Sequence, residues 1–496
     1  MRSKVVYRPR DFKFTFIADY SDKTDSTNAL PVVEGSLIFA SMSPVSYPDR
    51  WDVRHDQQPR LHSRGAGLSL KAEAAAGELE LANLAAFRTA KMVNIFDYDG
   101  TEFPLVAADI RLFDRQFSNE FQLRSGDRRK ISWIGGLYFF DARSKLDPQT
   151  VSLSSDPAFN PDLPLIKLVT IGSQETRSIA VFGQATLTLS EQVHITTGVR
   201  HTIERRSADS RIEGILLLPG RPQAELIPLR SRSKTFGHPT FRAAIDLKPT
   251  RHAMIYASVS TGFKSGGFNV AEPQSPFFES EKLTSYEIGE KVTLFGGRLR
   301  INSALFHYDY RHLQVLRAGQ TSTGFSSGPS ARITGFDADL VLIPVQGLEV
   351  TAGLALLRAR YGNFQDALIG SAGGGVPVKP GDASGNRVPF SPKATIALGA
   401  TYSRPIGTRR IIFNAGFLHS SKSYFEPDNM IVQQAYGLWN AMGRFEFNGG
   451  SRWFSVYGRN LSNEAVKRAA LTLPSGQQIN ILGPPRTFGV EFGLRY

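Results

Sequence analysis

The sequence predicts an all-β fold, a transmembrane antiparallel barrel, and three observations carry that expectation. Apolar and polar residues alternate with period two from end to end, as strands with one apolar face require. Tight turns alternate with long polar stretches. No apolar run approaches the roughly 18–20 residues of a membrane helix, and the longest, Ala253–Ala257, fills only part of one strand. A closed barrel is the other structure that satisfies its backbone groups in lipid.

Composition narrows the function classes. The 496 residues contain no Cys, which excludes disulfides, thiolate metal sites and Cys nucleophiles. The nine His (55, 62, 194, 201, 238, 252, 307, 312 and 419) are scattered, without a metal-ligand spacing such as HExxH. His194 and His201 fall on opposite faces of one strand pattern. No nucleophile–base pair, carboxylate dyad or phosphate loop stands out, so neither an enzyme nor a metal or cofactor site is expected. The net charge of +13 is spread without a run of five or six like charges. That argues against nucleic acid as a partner. It leaves an anionic substrate or lipopolysaccharide phosphates as uses for the surplus.

The elements follow in order. Tight turns fall near Pro9-Arg10, Ala76-Gly77, Gly126-Asp127-Arg128, Ser190-Glu191, Pro249-Thr250-Arg251 and Phe295-Gly296-Gly297. Three more follow at Val345-Gln346-Gly347, Pro405-Ile406-Gly407 and Asn448-Gly449-Gly450. Long polar stretches lie between the hairpins, at 22–63, 142–174, 207–232, 264–278, 361–391 and 463–483 among others. Short turns on one side and long loops on the other are the outer-membrane pattern, with the long loops extracellular. Within four clear strand spans, charges keep to one face. Val193, Ile195, Val199 and Ile203 oppose His194, Arg200 and Glu204, and Phe241, Ala243, Ile245 and Leu247 oppose Arg242, Asp246 and Lys248. The spans 348–356 and 394–401 behave alike. Lipid demands this, because Lys or Arg at the bilayer midplane costs roughly 2–4 kcal/mol. Aromatics gather at strand ends (Tyr138-Phe139-Phe140, Tyr308 and Tyr310, Tyr424-Phe425), as interfacial girdles would.

The final segment is the clearest strand. Phe488, Val490, Phe492, Leu494 and Tyr496 share one face, and Thr487, Gly489, Glu491, Gly493 and Arg495 the other. Nine hairpins and this strand give about 19 strands. Strand 2–8 and strand 484–496 then run in the same direction, where closure of a single-chain bacterial barrel uses antiparallel neighbours. The expectation is an open seam or strained contact between them. The segment from Met1 to Pro9 lacks the apolar core of a signal peptide, so a truncated N-terminus is expected.

Several ordered motifs then resemble the barrel of TonB-dependent outer-membrane receptors. They are Tyr256-Ala-Ser-Val-Ser-Thr-Gly-Phe-Lys-Ser-Gly-Gly-Phe-Asn269, Tyr286-Glu-Ile-Gly-Glu-Lys291 and Asn302-Ser-Ala-Leu-Phe-His-Tyr-Asp-Tyr310. Ala180–Ala185, Ala331–Leu340 and Asn460-Leu-Ser-Asn463 add to them. The resemblance is clearest from about residue 180 onward. It implies a 22-stranded barrel with a plug, of which 1–496 would be barrel alone, about 19 strands, without signal peptide, TonB box, plug or first strands. Implied, too, is energy-coupled uptake of a ferric siderophore or similar scarce nutrient across the outer membrane of a Gram-negative bacterium. The TonB complex, the barrel-assembly machinery, lipid and lipopolysaccharide would be its partners. The alternative is a passive pore or a non-functional plug-less remnant.

Within that resemblance Phe488, Phe492 and Tyr496 are similar to the signal read by the assembly machinery. Arg205, Arg206, Arg211, Tyr361, Arg387 and Tyr424 are the loop candidates for substrate contact, against the plainer reading of solvated loop residues. Gly262, Gly266 and Gly267 suit a strand end that bends at the rim. Glu290 falls on an apolar face and requires a bulge or a local exception. Glu287 is a candidate for lumenal pairing with Arg298 or Arg300.

Overall fold

The computed structural model describes residues 1–26, 30–37, 44–126, 130–154, 165–216, 223–275, 277–318, 323–473 and 476–495. Nineteen strands form one sheet. The first ten are β1 (Arg2–Tyr7), β2 (Phe12–Asp25), β3 (Arg60–Ala76), β4 (Leu79–Asp97), β5 (Val106–Ser125), β6 (Ile131–Leu153), β7 (Leu165–Thr188), β8 (Val193–Leu216), β9 (Gln223–Thr250) and β10 (Ala253–Lys264). Next come β11 (Glu281–Leu294), β12 (Leu299–Arg311), β13 (Ala331–Val345), β14 (Leu348–Tyr361) and β15 (Ala394–Ile406). The last are β16 (Arg409–Ser420), β17 (Tyr436–Phe447), β18 (Arg452–Arg459) and β19 (Thr487–Leu494). Four two-stranded hairpins, within 314–327, 367–381, 423–433 and 467–482, stand in the long loops.

Each barrel strand pairs antiparallel with the next. The short turns sit where the sequence places them, except that 127–128 lie outside the described residues. Because the count is odd, β1 and β19 run in the same direction. Among the described residues no ladder joins them, so each is paired on one side only and a seam lies open between their edges. At the long-loop end the seam is bridged from above. Val33 N donates to Gln478 O (2.8 Å), Asn480 N to Pro31 O (2.9 Å), and Trp51 Nε1 to Gly483 O (2.9 Å).

The wall has two faces of opposite character. On β7 and β8 the outer row is Val181, Ile179, Val199 and Ile203, each more than half exposed. The four spans that segregate charge in the sequence do so in space. The lumenal face carries cross-strand ion pairs, including Lys13–Glu73–Lys71 and Arg88–Asp19 (2.8 Å). The outer band ends at a charged row in which Arg177 donates to Asp141 (3.0 Å) and pairs in register with Arg205. From Leu187 to Ile179, eight steps rise roughly 27 Å along the strand, or about 21 Å after a tilt near 40°, comparable to the apolar height of an outer-membrane barrel. Two amides interrupt the band, and they satisfy each other: Asn83 Nδ2 donates to Asn119 Oδ1 (3.2 Å) and Asn119 Nδ2 to Asn83 Oδ1 (3.1 Å).

Three expectations are corrected. The stretches 142–174 and 207–232 are mostly strand: β6 runs to Leu153, β7 begins at Leu165, and β8 and β9 are 24 and 28 residues long. Above the apolar band the outer face meets water and need no longer be apolar, while inner residues such as Ala208, Ser210 and Ile212 are buried, so the charge-excluding alternation fades although the hydrogen-bond ladder continues. The strand-end aromatics are not one outer girdle. Phe139 faces out against Phe117, but Tyr138 faces the lumen beneath Arg200, Tyr308 stacks on Phe306 inside, and Phe425 is buried among loops. Of the two readings for Glu290, a bulge or a local exception, the second holds: it stays on the outer face with regular register on both sides and accepts a hydrogen bond from Ser303 Oγ (3.3 Å). Glu287 pairs not with Arg298 or Arg300 but with the Tyr256 hydroxyl (2.7 Å).

The packed apolar core belongs to the long-loop end rather than to the barrel. Val315, Ala331, Tyr361, Phe364, Ala367 and Ala383 form one cluster, Val32 and Leu105 a second, and Phe425, Ile431 and Ala470 a third. The loops are thus tied into a rim.

Candidate ligand-capture site at the rim

The rim is organised by backbone and carboxylate contacts between loops. Asp428 Oδ2 accepts from Gly370 N (2.9 Å), and Glu426 accepts from Thr472 N (2.9 Å) and Thr472 Oγ1 (2.5 Å). Burial raises the Glu426 carboxyl above its ordinary range, partly offset by the two Thr472 donors. Asn429 clamps the next loop, accepting from Arg387 N (2.9 Å) and donating to Arg387 O (3.0 Å). These contacts fix 386–388 beside 422–429.

The six predicted contact residues divide into two groups. Tyr361, Arg387 and Tyr424 come together at the 362–393 and 421–435 loops. Tyr361, 4% exposed, packs edge-on to Phe364 (5.2 Å) and anchors the loop core, so it presents no surface to a ligand. Arg387 lies over the Tyr424 ring (6.0 Å), and Lys422 over the same ring (5.4 Å). Among the described residues neither cation has a carboxylate partner. Arg205, Arg206 and Arg211 are not in a loop; all three are on β8. Arg206 faces inward and is held by Glu204 (2.7 Å). Arg205 and Arg211 share the outer face with Val199 and Ile203, above the apolar band, and Arg211 pairs with Glu213 (2.8 Å).

The sequence reading missed a second cationic–aromatic surface, on the inner wall near Arg206. Lys234 lies over Phe277 (3.4 Å) and Phe236 (5.5 Å) and pairs with Glu279 (3.2 Å), while Lys264 lies over Phe325 (5.3 Å). A Lys two residues before a Phe, as in Lys234-Thr-Phe236, shares its strand face and is the signal that could have found it. Gly266 and Gly267 serve close approach here. A Cβ on Gly266 would stand 2.2 Å from Phe278 O, whereas Gly262 has open space around it. Of the assembly-signal residues, Phe488 and Phe492 are exposed on the outer face of β19, and Tyr496 lies outside the described residues. Among the described residues one acidic group, Asp56, Asp97 and Asp99, is close enough to share a metal ion.

A sheet with an apolar exterior, a polar lumen and a structured rim at one end defines a transmembrane β-barrel. The chain belongs to the TonB-dependent receptor-like β-barrel family, whose model matches residues 6–463. It is therefore an outer-membrane receptor of the nutrient-uptake class found in Gram-negative bacteria. Solved structures repeat the fold. The ferric yersiniabactin uptake receptor FyuA from Yersinia pestis superposes with a TM-score of 0.79 at 16% identity, over 99% of this chain and 69% of that one. The siderophore receptor PiuA from Acinetobacter baumannii gives 0.74 at 16% identity, over 97% and 71%. The copper transporter OprC gives 0.64 at 11% identity, over 99% and 77%.

Proposed function

We propose that residues 1–496 act as one barrel domain in energy-coupled uptake of an anionic ferric siderophore. The observation that carries this reading is the Tyr424 ring flanked by Arg387 and Lys422, two cations without acidic partners among the described residues. A chelate that brings negative charge and planar rings would gain from both cations and from ring stacking, each contact contributing about 0.5–2 kcal/mol. On the inner wall Lys264 over Phe325 offers the same pairing of cation and ring, whereas Arg206 and Lys234 there already pair with Glu204 and Glu279. FyuA and PiuA, by their names, take ferric yersiniabactin and siderophores. Family membership also supports coupling to the TonB complex and insertion by the barrel-assembly machinery, with Phe488, Phe492 and Tyr496 as the assembly signal.

The test is uptake of radioactive iron by cells that express the protein, supplied with catecholate, phenolate, hydroxamate and citrate chelates in turn. The proposal expects uptake of one anionic chelate that stops when TonB is deleted. Replacement of both Arg387 and Lys422 by Ala should weaken binding about 10- to 100-fold. Uptake that persists without TonB would mean a passive pore. Equal affinity in the double variant would remove this rim surface from the account.

A further inference from the structure

We propose that Asp56, Asp97 and Asp99 form a Ca²⁺ site that staples the extracellular loops together. Asp56 comes from the loop between β2 and β3, and the other two from the β4 end and the β4–β5 loop. One ligand oxygen from each lies within 4.8 Å of the others. Two oxygens on one Ca²⁺, each at about 2.4 Å, stand at most about 4.8 Å apart, and the three carboxylates meet that limit pair by pair. The set holds no thiolate and no imidazole. Oxygen-only ligands of this charge select a hard cation.

The second observation is the state of Asp97. It is 3% exposed, and its Oδ1 accepts from Asp99 N (3.0 Å) and Gly100 N (2.8 Å). Its Oδ2 is buried and has no hydrogen-bond partner. Asp99, 2% exposed, is held by Thr101 N (3.1 Å) and Val106 N (2.7 Å). The backbone of the loop thus orients both carboxylates before any ion arrives. No Lys, Arg or His among the described residues forms an ion pair with any of the three acids. Buried carboxylates set side by side, with no cation, are costly unless something bridges them. Ca²⁺ tolerates the irregular geometry of a site shared by two loops, where Mg²⁺ demands near-ideal octahedral ligands.

The position gives the site its role. Gly100 packs against Leu30 O in the β2–β3 loop, and Asp99 O accepts from Gln477 Nε2 in the β18–β19 loop. A bound ion would therefore fasten the first long loop to the second, beside the hydrogen bonds that bridge the seam. Asp56 in the β2–β3 loop and Asp97 at the end of β4 are far apart in sequence, so no sequence spacing announces the site.

The test uses the full chain, refolded in detergent and stripped with EDTA, with folding checked by heat-modifiable gel mobility. Titration with CaCl₂ in a calorimeter should give one site, with Kd in the range of about 10⁻⁴–10⁻³ M typical of extracellular sites. Ca²⁺ should slow trypsin at Arg50 and Arg54. Asp97→Asn should raise Kd by at least about tenfold, since affinity follows ligand charge. Asp56 is exposed and outside the hydrogen bonds of the 97–106 loop, so Asp56→Asn supplies a variant that leaves that loop folded and should weaken binding as well. No heat at millimolar Ca²⁺ in the unaltered protein, or equal affinity in both variants, would overturn the site. Mg²⁺ binding as tight as Ca²⁺ would overturn the ion assigned.

Discussion

The outer face of the wall is decided residue by residue. Val199 and Ile203 are where lipid wants them, and the sequence showed it because every second residue between 193 and 203 on that side lacks charge. Asn83 and Asn119 were invisible to that test. They are far apart in sequence, and only the β4–β5 register makes them a cyclic pair of amides. Removing one partner leaves a polar group unsatisfied in an apolar layer, at a cost of about 1–3 kcal/mol, whereas replacing both is close to neutral. Asn119→Leu should therefore lower unfolding stability in lipid vesicles by that amount, and the Asn83→Leu/Asn119→Leu double variant should recover most of it. Additive losses would show that the two amides do not act together. Glu290 is the other exception, and neither alternation nor the ladder explains it beyond the Ser303 contact.

At the scale of elements, β19 shows why a polar face can be rich in glycine. A Cβ on Gly493 would stand 1.9 Å from the Trp453 ring, and one on Gly489 would stand 2.4 Å from Tyr457. The inward aromatics of β18 lie flat over these positions, so the glycines of β19 are filled from the neighbouring strand. Gly335 under Phe306 repeats the arrangement. Gly493→Val should cut the yield of heat-modifiable barrel severely, while Gly262→Ala, with open space around it, should leave it unchanged. The proposed assembly role of Phe488 and Phe492 separates from packing by kinetics. Their Leu variants, which keep an apolar side chain against lipid, should insert slowly in cells yet reach near-ordinary stability once folded in vesicles, because both rings lie on the outer face. The alternation of β19 was legible in the sequence; its glycine partners were not, since they belong to another strand. The lengths of β8 and β9 were also hidden, because beyond the lipid the outer face is wet and can carry charge, while the inner face is buried at positions as different as Ser210 and Ile212.

For the whole molecule, strand number and direction came from counting turns, and the unpaired edges of β1 and β19 followed from parity. The rim was less legible. Its order rests on contacts between loops distant in sequence, such as Asp428 with Gly370 and Glu426 with Thr472. That is why Tyr361 read as a contact residue and proved to be a core anchor, while Arg205 and Arg211 proved to face outward on a strand. Arg387 and Tyr424 did come together, with Lys422 added by the fold.

The absence of cysteine makes one measurement direct. Single Cys residues placed at 199 to 206 of β8, one at a time in the membrane-embedded protein, would be probed with a water-soluble maleimide. The account predicts protection at Val199 and Ile203, where lipid covers the wall, and labelling at Arg200 and Glu204 through the wet lumen. Arg205, on the outer face but above the apolar band, should label as well. Thr202 faces inward but is buried and is left out of the comparison. Uniform labelling, or labelling at Val199 and Ile203 with protection at Arg200, would contradict a lipid-embedded wall with a wet lumenal face.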